Sequence, residues 1–383
     1  MLDQDTQEFR NHVARWVDER LAPQAESLDR GGEFPHQLFR EAGELGYFGV
    51  LYPESCGGSG LANPYTCFAV LCEELSRGSM GFAAGVCMQG STATYTLFKW
   101  GDKALQERYL LPALRGEKIA AFAITEPNAG SDAASLRTRA TKVEGGYVLN
   151  GSKIFTTHGT VADFITVVAS TDPGRGLKGL DLFVVDTDTQ GFSVGRKLEK
   201  FTIHCSDTAE LRFDSVFVPE HCRLGGGEAG AAGGGFLNAY RSLTVDRVFT
   251  AALAVGNAQA AYDAALRYAK ERVQFGQPIG KFQAVQFKLV DMLATLEQAR
   301  LYTYYVAGRA DRDAPITTEA ALAKLVAADG CNEVCQKALA IFGGYGLMNE
   351  FPVQRFLRDS YFPIVGGGTS DIMRLIVARQ LEL

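Results

Sequence analysis

Apolar positions along the chain fall into three regimes. Within residues 4–118 they recur at helical spacing, with Phe9, Val13, Trp16 and Val17 in one stripe and Leu38, Phe39, Ala42, Leu45 and Gly46 in another. The turn-forming run Tyr52 to Gly60 separates one helical group from the next. From about residue 119 the period shortens. Tyr147–Gly151, Phe164–Ala169, Leu182–Val185 and Ala209–Phe213 are short, rich in β-branched and aromatic residues, and bounded by Gly, Asp or Pro, which predicts strands. Alanine-rich helical patterns return over 251–273, 282–309 and 317–342. The order helical, β, helical predicts an α+β chain with a helical domain over 1–118, a β domain over 119–222 and a second helical domain over 223–383.

Composition narrows the function classes. A chain of 383 residues has ample interior to exclude water from a cofactor. The formal charge of −6, with no dense Lys/Arg run, argues against a nucleic-acid surface. The acidic, polar N-terminal segment has no secretory pattern, and no apolar run approaches the ~20 residues that cross a bilayer. Eight cysteines scattered through periodic segments read as reduced, small hydrophobes of a soluble cytoplasmic protein. His204-Cys205 and His221-Cys222 are adjacent pairs whose side chains diverge on a strand, and Cys331 and Cys335 lack a second pair, so no metal site is expected. Gly225 to Gly230 formally satisfies G-x-G-x-x-G, but no partner strand follows the next helix, so the run reads as a linker and not a dinucleotide-binding turn.

Four motifs carry the chemistry: Ala123-Ile-Thr-Glu-Pro-Asn-Ala-Gly-Ser-Asp132, Asn150-Gly-Ser-Lys-Ile-Phe-Thr-Thr157, Arg272-Val-Gln-Phe-Gly276 and Gly366-Gly-Gly-Thr-Ser-Asp-Ile372. In this order they resemble the landmarks of the acyl-CoA dehydrogenase flavoproteins, and together they span nearly the whole chain. The resemblance implies a β-sandwich or barrel between two helical domains, an FAD cofactor, and a homotetramer or homodimer built on the last domain. It places Ile124, Thr125, Gly130, Ser131, Phe155 and Thr157 around the flavin ring and pyrophosphate. Arg272, Gln274, Phe275, Gly343 and Gly344 would hold the adenine half bound from a neighbouring subunit, with Gln283, Thr369 and Asp371 also near the dinucleotide. A flavin ring needs apolar walls and hydrogen-bond donors, and these residue types supply both.

The implied reaction removes a proton from C2 of an acyl thioester while hydride leaves C3 for the flavin. Many members of the family carry the base as a glutamate just before the Gly-Thr of the last motif, where this chain has Gly367. Other branches carry it on the first long C-terminal helix before an arginine, where this chain has Asp246-Arg247. Asp246 is therefore the candidate base, with the Gly367 N–H donating to the thioester oxygen. The competing reading pairs Asp246 with Arg247 or Arg241 on a solvated helix face. Arg247 is a candidate contact for the pantetheine or nucleotide end, and Gly366 to Gly368 would open the pocket to a branched or α-substituted acyl group. Acyl-CoA and acyl-carrier-protein substrates both remain open. An electron-transfer flavoprotein is the implied acceptor, and a flavin oxidase or monooxygenase is the alternative on the same fold.

Overall fold

The computed structural model of the chain describes residues 2–225 and 235–383, and of residues 236–239 and 241 it describes the backbone. Beyond Gly225, the glycine-rich run therefore lies outside the described residues. The chain opens with α1 (Gln4–Trp16), α2 (Ala25–Gly31), α3 (His36–Glu44), α4 (Pro64–Gly78), α5 (Met80–Cys87), α6 (Ala93–Trp100), α7 (Lys103–Leu105) and α8 (Leu111–Leu114). Asp3 starts α1 by accepting from the Thr6 N–H at 2.8 Å. The apolar stripe of α3 stops earlier than its spacing suggests: the helix ends at Glu44, Leu45 is exposed, and Gly46 turns the chain at φ 76°.

Eight strands form one mixed sheet: β1 (Ala120–Ala123), β2 (Arg139–Val143), β3 (Gly146–Thr157), β4 (Phe164–Ser170), β5 (Leu180–Asp186), β6 (Phe192–Lys197), β7 (Thr208–Pro219) and β8 (Arg223–Leu224). The order is β6-β7-β3-β2-β4-β5-β8, with β1 parallel to β4. β4 is buried along its whole length, which is why its sequence is an apolar run without alternation. β3 and β7 pair antiparallel in a register that shifts between Lys153 and Thr156. That bulge decides where Phe155 points.

The remaining elements are α9 (Gly235–Glu271), the hairpin β9 (Val273–Gln274) and β10 (Gln277–Pro278), α10 (Gln283–Ala310), α11 (Thr317–Phe342), α12 (Val353–Asp359), α13 (Phe362–Val365) and α14 (Ser370–Gln380). Val273, which the helical pattern included, starts the hairpin instead. α9 packs along α4, with Phe68 and Phe249 edge to face at 4.6 Å and Ser76 Oγ donating to the Leu253 carbonyl at 2.6 Å. Contact is this close because residue 256 is glycine: a Cβ there would lie 2.0 Å from the Glu73 carbonyl oxygen. On the other side of α4, the buried Glu73 carboxylate accepts from Arg10 of α1 and, on α10, from Arg300 Nε at 3.1 Å and Tyr304 Oη at 2.6 Å. All eight cysteines are free, and all but Cys56 are buried. Among the described residues no helix is long and apolar enough to cross a membrane.

At the end of β3, buried His158 donates from Nδ1 to the Ala120 carbonyl at 2.9 Å and lies against the rings of Phe34 and Phe39. Burial pushes its pKa down from 6.5 to about 4.

Two outcomes follow from this packing. Gly256→Ala should cost about 1–3 kcal/mol, read as a lower urea midpoint, because α9 must move off α4. His158 binds its proton later in the folded state than in the unfolded chain, so its contribution is full above 6.5 and is lost as pH falls towards about 4. Within that window wild type should lose stability relative to His158→Asn by roughly 1.4 kcal/mol per pH unit, measured by denaturant titration from pH 7 to 5.

Candidate active site

The centre of the site is built by three segments that are remote in sequence. α5 passes into α6 through one wide helical turn, Met88–Thr92, which carries Gln89, Ser91 and Thr92, all buried. Wide turns of this kind shift side chains relative to the regular helix and recur at functional positions. Here the turn aims two hydroxyls at α9. Asp246 Oδ1 accepts from Thr92 Oγ1 at 2.6 Å and Ser91 Oγ at 3.3 Å, with Cys87 Sγ 3.8 Å away. Burial raises the pKa of Asp246, and the hydroxyls, Arg247 and Cys87 oppose that shift only in part. The carboxylate is therefore oriented by hydroxyl donors, and among the described residues no Asp246–Arg247 ion pair forms; the side chain of Arg241, the other candidate partner, lies outside the described residues.

The third segment is the loop before α14. Gly367 has φ 66°, and a Cβ there would lie 3.6 Å from Asp246 Oδ2 and 3.5 Å from Thr250 Oγ1. Asp246 and Gly367, proposed together from sequence, thus meet face to face. Gly366 and Gly368 are placed differently from the expectation that all three glycines open the pocket. A Cβ on Gly366 would meet the Phe362 ring at 2.7 Å, and one on Gly368 the Met373 Cε at 3.0 Å. These two are glycines for packing and backbone reasons, and only Gly367 borders the carboxylate.

Arg247 is buried, with its guanidinium over the Tyr240 ring at 5.1 Å and Nη1 3.4 Å from Thr244 Oγ1. Its Nε has no hydrogen-bond partner among the described residues, and burial lowers its pKa. An acceptor supplied by a ligand would satisfy that donor.

A second cluster lies at one end of β1 and β3. Thr125 accepts from the Ile154 N–H at 2.9 Å, which ties the end of β1 to β3. Glu126 and Ala129 exchange hydrogen bonds across a tight turn, which folds Gly130 back until a Cβ on it would sit 3.9 Å from Thr125 Cγ2. Ser131 follows directly. On the bulge of β3, Phe155 takes φ 58° and is 65% exposed, while Thr157 pairs with Thr208. A bulky residue in the left-handed region and an uncovered ring is an arrangement that costs stability and so points to a ligand-facing role. Ile124, Thr125, Gly130, Ser131, Phe155 and Thr157 are thus gathered at one end of β1 and β3.

The third cluster is a cavity of about 480 Å³ lined by Tyr268, Arg272, Gln274, Phe342, Gly344 and Tyr345 among others. None of the sheet residues lines it. Tyr268 stacks on Phe342 at 4.1 Å, and Arg272 lies over Tyr345 at 5.4 Å. The hairpin turns through Phe275 and Gly276, at φ 50° and 78°, which presents Phe275 93% exposed at the tip. Gly343 and Gly344 have no atom within 4 Å of an added Cβ, so the backbone there is open to close approach. Gln283 is exposed at the start of α10. An Arg fork, flat aromatic faces and bare glycines suit a nucleotide and its phosphates. Thr369 instead caps α14 by accepting from the Ile372 N–H at 3.2 Å, and exposed Asp371 pairs with Arg374 at 3.3 Å.

Sequence reasoning missed Ser91, Thr92 and Lys324. The signal for the hydroxyls was the polar run Gln89-Gly-Ser-Thr92 inside an otherwise apolar helical stretch; for Lys324 it was a cation set within the apolar run Ala320 to Ala328 of α11.

Three family models match in succession: acyl-CoA dehydrogenase N-terminal domain over 3–117, middle domain over 121–216 and C-terminal domain over 233–382. The chain is 44% identical over 381 residues to the benzylmalonyl-CoA dehydrogenase of Aromatoleum aromaticum, covering 100% of this chain and 99% of that one. It is 39% identical to the mitochondrial isovaleryl-CoA dehydrogenase of Solanum tuberosum, covering 100% and 92%. Among solved structures, the butyryl-CoA dehydrogenase of Megasphaera elsdenii superposes with a TM-score of 0.96 at 37% identity, covering 100% and 99%. The chain belongs to the acyl-CoA dehydrogenase family of FAD-dependent oxidoreductases.

Proposed function

We propose that the chain dehydrogenates an acyl thioester between C2 and C3, with Asp246 as the base and a branched or α-substituted acyl group as the preferred substrate. The observation that carries this is the pairing of Asp246 with Gly367: a carboxylate of raised pKa facing a glycine in the left-handed conformation. Such a carboxylate holds a C2 proton more readily than an ordinary one, which favours abstraction near neutral pH. The Gly367 N–H donates to the thioester oxygen, where negative charge develops as the proton leaves. Thr92 and Ser91 fix one carboxylate oxygen, which leaves Oδ2 towards the loop. Arg247 Nε is a donor for the pantetheine arm, whether it is carried by coenzyme A or by a carrier protein.

FAD, when bound, would supply the acceptor for the C3 hydride, and in this reading an electron-transfer flavoprotein would take the electrons. Ile124, Thr125, Gly130, Ser131, Phe155 and Thr157 would hold its ring end. Arg272, Gln274, Phe275, Gln283, Gly343 and Gly344 would hold the adenosine end of a neighbouring subunit's cofactor, with Thr369 and Asp371 near the dinucleotide. This reading makes the protein a cytoplasmic homo-oligomer of three-domain subunits, divided near residues 118 and 222. The branched preference draws on the space beside Gly367 and on relatives named for isovaleryl- and benzylmalonyl-CoA, acyl groups that carry a substituent on C3 or C2.

Asp246→Asn should slow flavin bleaching by isovaleryl-CoA about 10²–10⁴-fold under anaerobic conditions, whereas Asp246→Glu should stay within about tenfold of wild type. Because the folded pKa lies above 3.8, the wild-type rate should already fall on the acid side at a pH above the ordinary aspartate range. Bleaching by Asp246→Asn at the wild-type rate removes the base assignment. Stopped-flow comparison of isobutyryl- and butyryl-CoA should favour the branched thioester, and a clear straight-chain preference overturns the pocket reading. Rapid reoxidation of the reduced protein by oxygen would move the assignment to an oxidase.

A further inference from the structure

We propose that Lys324 is a positioning residue for this reaction: its buried ammonium clamps both flanks of the glycine loop and so holds Gly367 opposite Asp246. The proposal rests on the reading of Asp246 and Gly367 given above. Lys324 sits on α11 with no exposed surface. Its Nζ donates to the Gly368 carbonyl at 2.5 Å and to the Ile364 carbonyl at 3.4 Å, so the two bonds bracket Gly366 and Gly367.

This loop needs an external anchor. Three successive glycines have no side chains to pack, and Gly367 and Gly368 take φ 66° and 98°. The Gly366 N–H is held by the Phe362 carbonyl at 2.7 Å, and Lys324 secures the carbonyl side beyond it. A methionine of similar length would fill the same space without the cost of burying a charge. The ammonium therefore has a use that volume alone does not supply.

Its ionic surroundings point the same way. Asp329, on the same helix, is occupied by Ser370 Oγ at 2.8 Å and Arg374 at 2.8 Å, so Lys324 spends its hydrogen bonds on the loop carbonyls. Burial pulls the Lys324 pKa down to about 8, Asp329 and Asp246 favour its charged form, and Arg247 disfavours it. On the far side Cys87 of α5 and Arg247 of α9 face Asp246. A charge-assisted bond to a carbonyl is about twice as strong as a neutral one, so the clamp weakens once the ammonium loses its proton.

The test uses the FAD-loaded protein with Lys324→Met and Lys324→Arg. For Lys324→Met we expect KM for isobutyryl-CoA within about threefold of wild type, flavin reduction slower by about tenfold or more, and faster amide exchange at Gly367 to Thr369. Wild type should lose reduction rate above about pH 8, and Lys324→Arg, whose charge persists, should keep it. Wild-type rates and loop protection in Lys324→Met overturn the proposal. If Lys324→Met does not fold, an alkaline fall that is absent from wild type or identical in Lys324→Arg overturns it instead. Wild-type protein that no acyl thioester bleaches would defeat the dehydrogenase reading alone, and loop exchange in Lys324→Met would still decide the clamp.

Discussion

Lys153, fully buried on β3, donates from Nζ to the Glu126 carboxylate at 2.8 Å and to the Ile124 carbonyl at 2.9 Å, and the ring-side half of the site hangs on those two bonds. Glu126 also accepts from the Arg137 and Thr138 N–H groups at 2.7 and 2.9 Å, so one carboxylate joins the end of β1, the start of β2 and the middle of β3. Burial pulls the Lys153 pKa down to about 8 against the attraction of Glu126. For Glu126 burial acts in the opposite sense, but Lys153 and the hydrogen bonds outweigh it and the pKa is lowered. Both groups therefore keep their charge at neutral pH. Removing either partner would leave an uncompensated buried ion, a change worth several kcal/mol. Thr125 and Phe155 lie one and two residues from this pair, so their placement is inherited from it.

Periodicity made the helical and strand regimes legible because each element buries one face or both. The long pattern of α10 and α11 repeats often enough to outweigh local exceptions, and the uninterrupted apolar run of β4 matches a strand covered on both sides. Errors fell at ends, where backbone geometry and not burial decides. Gly46 and the Phe275–Gly276 turn stop or reverse the chain at positive φ, so Leu45 and Val273 drop out of the helices that their spacing suggested.

The site was legible in a different way. Asp246 and Gly367 are 121 positions apart, and no spacing rule could join them; the family resemblance did, and the geometry supplies the reason. Ser91 and Thr92 were hidden because small hydroxyl residues in a helical stretch read as filler. Lys324 was hidden because a single lysine reads as a solvated position. Each becomes informative only when its burial and its partner are known together, since a buried polar group is retained against a desolvation cost.

The two sides of the pocket solve opposite problems. On the base side a short aspartate must be aimed, and a wide helical turn brings the Ser91 and Thr92 hydroxyls to one oxygen while leaving the other towards the substrate. Across from it the chain needs a backbone donor with no side chain in the way, which glycine supplies at the price of conformational freedom. Glycine at 366 is demanded by the Phe362 ring and glycine at 368 by a φ of 98°, so the freedom is larger than the chemistry alone requires. A loop that loose can present an N–H to a developing enolate only if something rigid holds its carbonyls. The helix that carries Lys324 is among the better buried segments of the C-terminal region, and a cation rooted there transmits that rigidity to three residues that have none of their own.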